Sequence, residues 1–160
     1  MTTAFGTEII HPVYGIKPAD AGGAVATLDS VNVKNYRRMT IYLMFGALTG
    51  NADLTVKSGA TVGVQTTAEG FRTRLETGAQ GAAADADKFG ALAARVTTLS
   101  LVAATYANKL LVVEVDLDGA TADQPWMTAE LSNITALNLA ALIVLSVPRY
   151  SQNVMPAATE

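Results

Sequence analysis

The residues best equipped for recognition are Lys34, Tyr36, Arg37 and Arg38, four cationic or aromatic side chains within five positions. A basic patch with an interleaved aromatic could hold phosphate or stack on a base. The same residues could equally anchor an interface, where Arg and Tyr are enriched, or pair with carboxylates at a strand entry. In a chain of net charge -3, three cations favour the second reading. Arg149 and Tyr150 repeat this chemistry near the other terminus. His11 is the one histidine, so neither a multi-histidine metal centre nor a Ser-His-Asp site has more than this residue to build on. A structural or solvent-facing role is the expectation for it. Asp116-Leu117-Asp118-Gly119 opens like a calcium loop, but the twelfth position, which needs a bidentate Glu, is Met127. A turn with solvated acids is the simpler reading. Asp85 and Asp87 form a second acidic pair that could hold a surface cation. Gly59 to Gly63, GATVG, lacks the Lys and Ser or Thr of a phosphate loop. Trp126 and Tyr106 could stack on a sugar, although tryptophan is more often buried.

Composition narrows the classes. At 160 residues the chain has the length of about one domain and can bury a core without staples. Cysteine is absent, so neither disulfides nor thiolate zinc sites contribute; this fits assembly in a cytosol. The acidic balance argues against a general nucleic-acid binder, which needs a basic surface to release phosphate counterions. Charged residues make up 16% and hydrophobic residues 50% of the chain. So little charge suggests surface hidden in an oligomer or docked on a partner, although the many alanines raise the apolar count as well. The opening MTTAFGTEII has no basic stretch leading into an apolar core, so no export signal is expected. Leu137 to Val147 is too short for the ~20 residues of a membrane-spanning helix and reads as a strand buried on both faces.

The elements that must position these residues are strands. In Val31 to Phe45, Met39, Ile41, Leu43 and Phe45 fall on one face while Thr40, Tyr42 and Met44 fall on the other. Leu110 to Asp118 and Leu139 to Tyr150 are comparable. Weaker alternation marks strands near Ala24 to Leu28, Ala52 to Ser58, Val96 to Val102 and Trp126 to Leu131. Thr49-Gly50-Asn51 predicts a hairpin between the strands on either side of it. Residues 1–20 read as an extended arm kept to a sheet edge by Pro12, and residues 151–160 as a tail flanking a single domain over 21–150. Residues 59–92 lose the alternation and read as a long loop, with a short helix predicted over part of 85–95. The fold class is all-β: an antiparallel sandwich or jelly-roll-like barrel of about seven or eight strands.

The run Val33 to Tyr42, then Phe45-Gly46-Ala47 and Ala52 to Val56, resembles the front of small head proteins of tailed bacteriophages. Lys109 to Asp116 and Leu145 to Tyr150 resemble their back half. The likeness covers about two thirds of the chain, omits residues 59–92, and carries expectations at the level of fold analogy. It implies a capsid decoration or minor capsid protein, assembled in the host cytoplasm and sitting on the capsid surface. Such a protein would be a homotrimer that bridges major capsid subunits, with no enzymatic activity, cofactor, nucleic acid or membrane involved. Ile9, Ile10, Tyr14, Tyr36, Arg37, Arg38, Arg149 and Tyr150 are the expected partner contacts. The rival expectations are a carbohydrate-binding or adhesive module and a tail or head-completion component.

Overall fold

The computed structural model describes residues 10–20, 23, 25–81, 88–118 and 123–148. Alternation is translated directly into packing: two antiparallel sheets lie face to face, with the apolar faces of their long strands inward. The first sheet holds β1 (Ile10–Asp20), β11 (Ala136–Pro148), β4 (Tyr36–Thr49), β9 (Leu110–Asp116) and β7 (Arg72–Leu75), in that order. The second is built on β10 (Trp126–Ser132) and β5 (Ala52–Gly59). Beside β10, β2 (Ala26–Thr27) and β3 (Val31–Asn32) lie end to end; beside β5, so do β6 (Thr67–Glu69) and β8 (Thr98–Leu101).

The core rows follow from register. Leu145, Met39 and Val115 stand side by side on β11, β4 and β9; Ile143, Ile41 and Val113 form the next row, and Ala141, Leu43 and Leu111 the third. Leu54 and Leu131, and Val56 and Ala129, oppose each other in the second sheet. All are buried in one continuous cluster. Where Phe45 and Leu48 break the period of two, β4 carries two residues, Gly46 and Ala47, opposite the single Asn138 of β11. This bulge returns Leu48 to the core. A side chain at position 46 would press on Asn138 Cβ at 2.9 Å, so glycine fits there.

Several expectations are corrected. Eleven strands are present among the described residues, more than the seven or eight read from alternation, because β1 was expected as an arm, β3 is separate from β4, and β6 and β7 are too short to show a period. Thr49-Gly50-Asn51 is not a hairpin: β4 pairs with β11 and β9, whereas β5 pairs with β10, β6 and β8, so the chain crosses from one sheet to the other. The segment 59–92 contributes β6 and β7, so it is no structureless loop. Residues 88–95 are not helical, and 82–87 lie outside the described residues. The one helix among the described residues, α1 (Ala103–Tyr106), falls where a plain loop was expected. β11 is buried on its core face only; Ala140, Leu142 and Val144 on the other face are half-buried.

Three inter-sheet connections meet at one end and brace each other. Gly50, at φ +89°, lies so close to Thr135 that a Cβ would sit 2.5 Å from Thr135 Oγ1. Asn51 Oδ1 accepts the Ala103 N–H at 3.3 Å, capping α1 from another element, and Asn133 Nδ2 donates to Asp53 Oδ2 at 2.7 Å. The buried Glu76 ties the start of β9 to the turn after β7: it accepts from Gln80 Nε2 at 2.7 and 2.8 Å and from the Leu110 N–H at 2.9 Å.

Gly50→Ala is expected to cost about 1–3 kcal/mol through its left-handed backbone, with the Thr135 clash adding to it. Ile41→Ala in the central row is expected to cost about 2–5 kcal/mol. Urea unfolding followed by circular dichroism measures both, and near-wild-type midpoints would contradict the assignments.

Candidate interaction surface

The two outer faces of the sandwich differ in kind. On the second sheet, Asp53, Thr55, Lys57, Glu130 and Ser132 face outward, with Lys57 Nζ 2.8 Å from Glu130 Oε1. On the first sheet, register places Tyr14, Leu142, Tyr42 and Val112 in one row, with Pro12, Val144 and Thr40 on one side of it and Ala140, Met44 and Leu110 on the other. Tyr14 is 75% and Met44 49% exposed, and Ile10 lies farther along β1 on the same face. An apolar sheet face of this breadth is the ordinary mark of a docking surface. At its far end it turns ionic: Arg38 stands opposite Asp116, and Glu114 opposite Arg72.

Of the expected contact residues, Ile10 and Tyr14 lie on this face. Arg38 joins its ionic end, whereas Arg37 pairs with Asp118 at 3.7 Å. Tyr36 is corrected outright. It is 1% exposed, and its hydroxyl lies 2.9 Å from His11 Nδ1, with the two rings edge to face at 6.2 Å. It therefore clamps β1 to the start of β4 and offers nothing to a partner, and of the two roles expected for His11, structural or solvent-facing, this contact is the structural one. Lys34, Tyr36, Arg37 and Arg38 thus do not form one patch. Ile9, Arg149, Tyr150, Asp85 and Asp87 lie outside the described residues. The sequence reading missed Met44, Leu142 and Val144 as surface candidates, although the apolar character of both faces of β4 and β11 was the signal.

The other candidates resolve into structure. Asp116 Oδ1 accepts the Asp118 N–H at 3.1 Å, closing its own turn. Among the described residues no group of three or more His, Asp or Glu side chains converges as a metal site would require. Gly59 packs so tightly under the Val64 carbonyl that a Cβ has no room there, which makes 59–64 a closed turn. Tyr106 packs edge-on against Phe45 at 6.4 Å, and Trp126 is half-buried in β10 rather than fully covered. No helix among the described residues is long and apolar enough to cross a membrane.

Burial pushes the phenols of Tyr36 and Tyr106 above the ordinary value of 10.0. The folded state holds these protons more tightly than the unfolded chain does. Their stabilising contribution is therefore complete below pH 10 and is lost as pH rises through the raised values. Stability measured by denaturant titration is expected to fall above about pH 10, and less steeply in Tyr36→Phe/Tyr106→Phe. Tyr36→Phe alone should cost about 1 kcal/mol at neutral pH through the lost His11 bond.

No family model matches the chain, and no curated protein matches it. Among solved structures, it is similar to chains described as the structure of infectious bursal disease virus, Gt strain (TM-score 0.27) and Gx strain (TM-score 0.25). Identity is 11% in both cases, and the alignment covers 94% of this chain and 43% of the other. The chain thus spans less than half the length of these neighbours.

Proposed function

We propose that the chain is a virion structural protein without enzymatic activity: a capsid decoration or minor capsid protein that binds the outside of a phage head as a homotrimer and braces it by bridging major capsid subunits. The observation that carries the reading is the contrast between the two sheets, one with a polar outer face and the other with an apolar one. A monomer in water has no use for the second. The low charged fraction of 16% and the resemblance to phage head proteins support the same reading.

The mechanism is mechanical. A rigid sandwich presents the face around Tyr14, Tyr42, Met44 and Leu142 to a neighbouring subunit, and the chain on either side of the domain extends the grip. Many modest contacts made by copies bridging fixed sites add through effective concentration, so each can be weak while the lattice as a whole is held firmly. β1 supports this use, since it is an edge strand with no strand beyond it among the described residues, its Gly15 carbonyl accepting the Asp29 N–H at 2.8 Å, while Pro12 and Pro18 limit uncontrolled edge pairing.

Tyr14→Glu/Met44→Glu is expected to abolish trimer formation or reduce binding to undecorated heads by at least about tenfold, with little change in the melting temperature, because both residues are exposed. Sedimentation and a capsid-binding assay read the two effects. Deleting residues 1–9 or 149–160 should weaken head binding as well. A monomer at high concentration, together with undiminished head binding by all three variants, would overturn the proposal.

A further inference from the structure

At the ionic end of the apolar face, where the chain crosses from β6 in one sheet to β7 in the other, lies a cavity of about 380 Å³. That is the scale of a small-ligand cleft, about 300–1,000 Å³. Arg38 of β4, Arg72 of β7 and Arg95 from the segment after Leu92 line it, together with Glu114 and Asp116 of β9. The acids are engaged: Glu114 Oε1 lies 3.7 Å from Arg74 Nε, and Asp116 accepts the Asp118 N–H. The three guanidiniums have no hydrogen bond or ion pair among the described residues. Arg95 reaches the cavity across Gly70. Its guanidinium lies across Gly70 so closely that any Cβ there would collide with it. The segment carrying it is fastened to the edge of the sheet by Phe71 N–H to the Val96 carbonyl at 2.8 Å and Ala93 N–H to the Thr73 carbonyl at 2.9 Å.

We infer that this cavity is a receptor for neighbouring carboxylates on an extended acidic segment of a partner protein. Unpaired guanidinium forks bind carboxylates in parallel hydrogen-bonded pairs. Glu114 and Asp116 on the same wall can accept the N–H groups of a peptide backbone, donors that a sugar–phosphate backbone lacks, which favours a peptide over a nucleic acid. Phe71 and Leu92 supply apolar lining for the methylenes of glutamate. The inference depends on the proposed virion role only for the identity of the protein that carries the acids; the chemistry belongs to this chain alone.

The test uses the isolated full chain, so its failure is separable from failure of the virion reading. Hexaglutamate is titrated while the arginine Nε–H resonances are followed by NMR, with inorganic phosphate and hexalysine in parallel. The expected result is saturable hexaglutamate binding that shifts Arg38, Arg72 and Arg95, is weakened by salt, and becomes about tenfold weaker in R38Q/R95Q. The charge-matched K17Q/K34Q should bind as wild type. R95Q, outside any strand, repeats the test should substitution in β4 disturb folding. Absence of saturable binding, or equal loss in K17Q/K34Q, would overturn the inference. Phosphate binding more tightly than hexaglutamate at these arginines would also overturn it.

Discussion

The interlocking of Met39, Ile41 and Leu43 on β4 with the neighbouring rows of β11 and β9, above Leu54, Val56 and Leu131 of the facing sheet, is the contact on which the molecule depends. β4 sits at the centre of its sheet, hydrogen-bonded along both edges to β11 and β9, with loop residues such as Lys109, Asn108 and Leu117 bonding its ends. That leaves side chains as its only variable. One face must be apolar to fill the core, and the choice for the other decides what the protein can touch.

That choice accounts for the asymmetry of the molecule. The outer face of the β5 and β10 sheet uses Lys57, Glu130, Asp53 and Thr55, which solvate a surface and register the strands. The outer face of the β4 and β11 sheet spends the same positions on Tyr42, Met44, Leu142 and Val144. The ionic residues on that face are gathered at one end, around Arg38, Arg72, Glu114 and Asp116. The opposite end is occupied by chain crossings locked through Gly50, Asn51 and Asn133, whose backbone and amide groups are consumed in holding the sheets together. Ionic side chains and chain crossings thus occupy different ends of the same sheet.

The long strands were legible because alternation survives over Met39 to Phe45 and Leu111 to Asp116, and because Leu139 to Leu145 is a continuous apolar run too short for a membrane-spanning helix. Two of the short ones, β6 and β7, were not: with three and four residues they show no period within a stretch that lacks alternation. Thr49-Gly50-Asn51 misled for a different reason: turn residues state that the chain reverses, and a reversal within a sheet uses the same residues as one between sheets. Tyr36 misled because Lys34, Arg37 and Arg38 around it are solvent-seeking, while its own position faces the ring of His11, twenty-five residues away.

Composition and alternation therefore determined, unaided, that this chain is all-β and which side chains of its long strands enter the core, since burial of apolar area acts on each strand locally. They also determined that β4 and β11 carry a second apolar face. Which strands lie side by side, which crossings brace one another, and that Arg38, Arg72 and Arg95 meet in one cavity were decided only in three dimensions. The physical reason is that strand pairing satisfies the same backbone hydrogen bonds with any partner. The selection among partners comes from long-range packing and from single close approaches, such as Gly50 on Thr135 and Gly70 under Arg95, that no local window of sequence contains.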